Sequence, residues 1–171
     1  ASDVYKRQGV INVTMEAGTG SVSVAGMGTD IGAVTLDGGG GITLNGNITT
    51  VASNIDIDDA TTLATGAIVL TTANGSVDFA STIDGGQDLT IRSGTGAVGL
   101  NGVVGGSTTL GALTINATSD SQTGNGAITI VDIGDSNTVG AGATNIGNTA
   151  TNSITLKGST FKHGAAVYTS K

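Results

Sequence analysis

From Gly9 onward one short pattern returns along the chain: glycine or a polar residue, a small residue, then an aliphatic, a polar residue and an aliphatic. It occurs at Val22-Ser23-Val24, Val34-Thr35-Leu36, Ile42-Thr43-Leu44, Ile55-Asp56-Ile57, Val77-Asp78-Phe79 and Leu89-Thr90-Ile91. It recurs at Val98-Gly99-Leu100, Leu113-Thr114-Ile115, Ile128-Thr129-Ile130 and Ile154-Thr155-Leu156. A period of two puts both apolar residues of a triplet on one face, so each triplet predicts a short, half-buried strand. Turn chemistry bounds every run, with Asn-Gly at 45-46, 74-75, 101-102 and 125-126 and Gly-Gly within 38-41, 85-86 and 105-106. No stretch has the periodicity of a helix.

The spacing between triplets says how the strands are arranged. Val77 to Val98 is 21 residues, Ile68 to Leu89 is 21 and Ile55 to Val77 is 22, and a period of twenty-odd residues predicts a solenoid. A single aliphatic stands six residues after a strand start at Ile48, Ile83 and Val104, which predicts three faces per coil. Later coils lengthen, with Val98 to Ile128 at 30 and Ile128 to Ile154 at 26, as expected if loops such as 116–126 are inserted between rungs. The expected fold is all-β: a parallel β-helix (β-solenoid) over residues 9–157 with about three short strands per coil. Residues 158–171 form an irregular tail or begin the next coil. An antiparallel sandwich is the alternative, because Asn-Gly turns also close hairpins.

Composition agrees with stacked coils. Among 171 residues there are 30 Gly, no Pro, no Cys and no Trp, and aromatics make up 2%. A narrow column between coils has room for branched aliphatics and little need of aromatics, and proline would interrupt coils that must pair on both sides. Without cysteine there is no disulfide framework, zinc-thiolate site or cysteine nucleophile, and one histidine makes no histidine-rich metal cluster. The net charge of −7, with only 11% charged residues, gives no basic footprint for nucleic acid or anionic lipid. No apolar run approaches the roughly 18 residues of a membrane-spanning helix. Richness in Gly, Ser and Thr is also a low-complexity signal, but regular aliphatic alternation and a mean hydropathy of +0.22 oppose disorder.

The chain begins Ala1-Ser2-Asp3 with no charged-then-apolar leader and is read as a fragment. Asp3-Val4-Tyr5-Lys6-Arg7-Gln8 is also what one frame of a common transposon-end sequencing adapter encodes. Residues 1–8 are therefore read as a library scar and kept out of the fold argument.

The run Thr82-Ile83-Asp84-Gly85-Gly86-Gln87-Asp88-Leu89-Thr90-Ile91 resembles the repeats of filamentous-haemagglutinin-like adhesins. So do Gly94 to Gly102, Leu110 to Ile115 and Gly41 to Thr50, so the likeness extends over nearly all of the chain after residue 8. The resemblance implies a right-handed β-helical shaft in a very large, secreted, bacterial cell-surface exoprotein. It also implies export through an outer-membrane secretion partner, neighbouring repeats of the same long chain, and attachment to host or surface glycans or proteins. The fragment is then expected to be a non-catalytic structural segment, with no cofactor. Passenger repeats of classical autotransporters are a near alternative.

Candidate chemistry is sparse. A Ser-His-acid triad would have to use His163, in the tail Phe161-Lys162-His163-Gly164, which is read as an exposed or end-capping residue. The carboxylates of Asp56, Asp58 and Asp59 are the more interesting group. Asp56 and Asp58 share a strand face and Asp59 begins a turn, so they are the calcium candidates, with Asp30 and Asp37 as further oxygen ligands. The same pair would serve a polysaccharide-processing β-helix, although Arg92 is the only arginine beyond residue 8 and aromatic platforms are few. The bland reading is a solvated acidic face. The Thr pairs at 49-50, 61-62, 71-72 and 108-109 are adjacent, so they cannot form one flat row, and are read as corner and surface residues. Arg92, Asp84 and Asp88 are read as exposed charges on one coil.

Overall fold

The computed structural model describes residues 10–171; the adapter-like segment lies outside the described residues. Seventeen strands follow one another: β1 (Ile11–Glu16), β2 (Val22–Val24), β3 (Met27–Asp37), β4 (Ile42–Leu44), β5 (Ile48–Thr50) and β6 (Ile55–Ile57). Next come β7 (Thr61–Leu63), β8 (Ile68–Thr71), β9 (Val77–Phe79), β10 (Ile83–Asp84), β11 (Leu89–Arg92) and β12 (Val98–Val104). The last are β13 (Leu113–Ile115), β14 (Ile128–Ile133), β15 (Thr144–Ile146), β16 (Ile154–Leu156) and β17 (Ala166–Tyr168). One 3-10 turn, Thr118–Asp120, interrupts them.

Every strand pairing is parallel, and each strand pairs with its equivalent one coil away. The chain is therefore a β-solenoid of about seven turns, and the antiparallel sandwich falls. Three columns of strands make its walls. The first stacks Val13, Val34, Ile55, Val77, Val98, Ile128 and Ile154 in register. The second stacks Val22, Ile42, Thr61, Ile83, Val104, Ile133 and Phe161. The third stacks Met27, Ile48, Leu70, Ile91, Ile115, Ile146 and Tyr168. At about 4.8 Å per step the stack rises about 30 Å from first coil to last.

The triplets fold this way because a three-residue strand can send two side chains inward and one outward before the chain must turn. Ile42, Ile55, Val77 and Val98 are buried with their i+2 partners Leu44, Ile57, Phe79 and Leu100. No coil encloses these side chains alone; the cover is the next coil, so stability is shared between neighbours. The periods read from the sequence are the registers of the structure: Val77 pairs with Val98, Ile68 with Leu89 and Ile55 with Val77. One assignment changes. Ile83 and Val104 do stack, but Ile48 lies in the third column, against Leu70.

The corner that leads from third column to first carries a repeated device. Thr50 donates its hydroxyl to the Ser53 carbonyl, Thr72 to that of Gly75 and Ser93 to that of Gly96. Thr50, Thr61 and Thr72 are buried, so these members of the threonine pairs are not surface residues as expected. They point inward, where a hydroxyl can satisfy a corner carbonyl that no strand reaches. A left-handed residue recurs inside this corner in three successive coils, with φ of 51° at Ala52, two residues after Thr50, and 51° at Ala73 and 59° at Gly94, each directly after the hydroxyl residue. A β-carbon is strained there. Ala73→Gly, at an exposed site, is expected to stabilise the chain by about 0.5–1 kcal/mol net of the entropy glycine adds to the unfolded state; urea denaturation measures it.

Candidate functional site

The outward row of the first column reads Thr14, Thr35, Asp56, Asp78, Gly99, Thr129 and Thr155, in register. Asp56 therefore lies directly against Asp78 of the next coil, a neighbour that sequence reading did not single out. Asn101 donates to both Asp78 oxygens, at 2.9 and 3.2 Å. Gly99 leaves the space: a β-carbon there would lie 2.1 Å from Asp78 Oδ1. Beside this row runs a second, at the position that ends each strand. Glu16 pairs with Asp37, and Asp58 follows Ile57 as Asp37 follows Leu36. Asp59 turns back toward Asp37 and accepts the Gly38 N–H at 2.9 Å.

Like charges in this register perturb one another. The Asp37 carboxyl is raised above its ordinary value by a side-chain hydrogen bond with Asp59, with added effects of burial and of the charges of Asp59, Asp58 and Glu16. Burial raises Asp56 too, reinforced by Asp78 and Asp58. A raised carboxyl favours the fold when protonated, so this contribution is fully present below the unfolded value near 3.8 and is lost as pH rises through the raised folded value. The melting temperature is expected to rise as pH falls from neutral toward the ordinary carboxylate value near 3.8, and Asp37→Asn with Asp56→Asn should flatten the profile. Asp135 has the opposite sign: N–H groups of Asn137 and Thr138 hold its carboxyl low. Its contribution is lost only as pH falls below the ordinary range.

The face thus brings Asp37 to Asp59 and Asp56 to Asp78, while Asp58 is exposed and Asp30 lies on the exposed surface of β3. Among the described residues no three acidic or histidine side chains converge as a metal site.

The other single residues have their own neighbours. Arg92 is not a lone surface charge: its Nε and Nη2 form a two-pronged ion pair with Asp120, at 2.6 and 2.7 Å. Asp120 belongs to the inserted loop, so the pair fastens that loop to the third column. Asp84 and Asp88 instead accept backbone N–H groups one coil on, from Ser107 and Thr108 and from Ala112. A hydroxyl from Tyr168 meets His163 Nε2 at 2.9 Å, and the His163 Nδ1 lies 3.0 Å from the Gly164 carbonyl; these contacts hold the ring without a serine or a carboxylate. A shallow cleft of about 150 Å³ lies near Ala117, Asn145, Gly147 and Val167, and no titratable side chain lines it. No helix among the described residues is long and apolar enough to cross a membrane.

Acidic side chains run from Glu16 and Asp37 in the first coils to Asp132 and Asp135 in the late ones, whereas the lysines beyond residue 8, Lys157, Lys162 and Lys171, all fall in the last part of the chain. No protein-family model, no curated protein and no solved structure matches this chain.

Proposed function

We propose that the chain is a non-catalytic shaft segment of a secreted, cell-surface repetitive adhesin of the filamentous-haemagglutinin-like kind, serving attachment by holding adhesive regions away from the surface. The observation that carries this reading is the continuous, mainly aliphatic core shared between successive coils, which makes a rod whose length scales with the number of repeats. The repeat sequences quoted above add the resemblance. Such a shaft works mechanically, and its partners are further coils of the same kind and whatever its tip region binds, a glycan or a protein.

The test places the chain between a surface anchor and a known adhesive tip. The expected result is attachment that depends on the tip and survives exchange of this chain for another rod of equal length. Release of sugar from a polysaccharide panel, lost in Asp56→Asn with Asp58→Asn, would overturn the shaft reading in favour of a polysaccharide-processing β-helix. A melting temperature that falls in chelator would favour a calcium-stabilised spacer.

A further inference from the structure

Four Asn-Gly pairs punctuate the chain, at 45-46, 74-75, 101-102 and 125-126. In such a pair the asparagine Cγ lies within reach of the next residue's amide nitrogen. Glycine has no β-carbon to shield that nitrogen and leaves the backbone free to turn toward it. Ring closure then needs only that the side chain swing round to face the nitrogen, which a side chain held elsewhere does not do. The four pairs are alike in sequence, and the structure separates them.

Three of the asparagine side chains are tied to a neighbouring coil. Asn45 donates to the Ser23 hydroxyl and accepts the Thr65 hydroxyl, both at 3.1 Å. Asn74 Oδ1 accepts the Thr95 N–H at 3.1 Å and the Thr95 hydroxyl at 3.0 Å. Asn101 donates to both Asp78 oxygens. Asn125 differs: its side chain forms no hydrogen bond among the described residues, and it stands exposed in 122–127, a stretch without regular structure at the end of the inserted loop. Its main chain, by contrast, is built into the stack. The Asn125 carbonyl accepts the Asn152 N–H at 3.2 Å, and the Gly126 N–H donates to the Gly94 carbonyl at 3.3 Å. Gly126 is buried, and a β-carbon there would collide with the Gly96 carbonyl.

We propose that Asn125 is a site of spontaneous covalent modification, at which the chain converts its own asparagine to isoaspartate and aspartate with water as the only co-reactant. The Gly126 nitrogen gives its proton to solvent and bonds to Asn125 Cγ. The Cγ–Nδ2 bond breaks, and the leaving nitrogen takes a proton from solvent and departs as ammonia. Water then opens the five-membered imide at either of its carbonyls. Each product carries a carboxylate where an amide stood, so the net charge of −7 becomes one unit more negative. Opening at the Asn125 main-chain carbonyl leaves the chain running through Cγ, one carbon longer. That extra length falls where Gly126 stacks without spare room, so it loosens the end of the inserted loop from the coil beneath. The inference is independent of any attachment function.

Incubation of the folded chain at mildly alkaline pH, followed by peptide mass spectrometry, tests it. The mass gain of an amide becoming an acid is expected at Asn125 about tenfold faster than at the other three pairs, which react only when their coil opens locally. Hydroxylamine, which cuts the imide, should cleave the folded chain first between Asn125 and Gly126. In urea strong enough to unfold the chain the four pairs should react at similar rates, because the coil contacts are gone. Asp78→Ala, which frees the Asn101 amide, should speed conversion at Asn101 several-fold, and Asn125→Ser should abolish the first acidic species to form. Circular dichroism on both variants checks that the coils are intact. Equal rates at the four pairs in the folded chain, conversion first at another pair, the same order kept in urea, or an Asn101 rate unmoved by Asp78→Ala would overturn the proposal.

Discussion

Replacing Gly96 by alanine is expected to remove about 3 kcal/mol or more of folding stability, among the largest effects a single methyl can have. The reason is space rather than backbone angle. At this corner Gly96 is stacked on Gly75 so closely that an added β-carbon would lie 2.0 Å from the Gly75 carbonyl oxygen and 2.3 Å from its carbon. Both are backbone atoms held by the coil below, so no side chain can swing aside. The crowding repeats along the rod. A β-carbon on Gly75 would meet the Ser53 carbonyl at 2.2 Å, and one on Gly126 the Gly96 carbonyl at 1.9 Å. Moving Gly96 away would also disturb its N–H bond to the Ser93 carbonyl and the Ser93 hydroxyl bond to its own carbonyl. Gly86 supplies the comparison: nothing lies within 4 Å of a β-carbon there, so Gly86→Ala should stay within about 0.5 kcal/mol of the parent. Urea denaturation followed by far-UV circular dichroism separates the two. Equal midpoints for both variants would mean that the corners are not stacked as described.

Much of this corner chemistry was hidden in the sequence, for a definable reason. The walls were legible because aliphatic triplets state both their face and their period, and Val77, Val98, Ile128 and Ile154 stack as their spacing implied. Ile48 was misplaced because a lone aliphatic six residues after a strand start carries no phase: Ile42 already belongs to the second column, so Ile48 falls in the third. The buried Thr50, Thr72 and Ser93 were hidden because small hydroxyl residues beside glycine have the composition of an exposed turn. Their recurrence two residues after Ile48, Leu70 and Ile91 was the available signal. Asp120 gave none, since a loop inserted once has no repeat to align with. At the candidate acidic face, Asp56 and Asp58 were visible as a local run. Asp78 became their neighbour only through the register, and Asp59 met Asp37 only through the turn of the next coil.

Asn116 carries the second large expectation, because it does with one side chain what a hydroxyl and a corner do elsewhere. It is fully buried and left-handed, with φ of 44°. Its Oδ1 accepts the Ser93 N–H at 2.8 Å and its Nδ2 donates to the Ser93 hydroxyl oxygen at 2.8 Å. Its carbonyl receives Asn148 Nδ2 at 2.8 Å, and Asn148 also reaches the Gly124 carbonyl. This chain of amides links three coils across the inserted loop, and no buried side-chain polar atom among the described residues lacks a partner. Asn116→Ala leaves the buried Ser93 N–H without its acceptor and puts an alanine, strained by its β-carbon, at positive φ. The expected loss is about 3 kcal/mol, about 2 from the unmet donor and about 1 from the backbone. Asn116→Gly separates the two, since glycine accepts the angle yet supplies no amide; it should recover about 1 kcal/mol of the loss. In a double-mutant cycle Ser93→Ala should then cost less in the Asn116→Gly background than in the parent. Equal costs in both backgrounds would mean that Ser93 and Asn116 act independently, and that the network does not fasten the inserted loop to the coil beneath it.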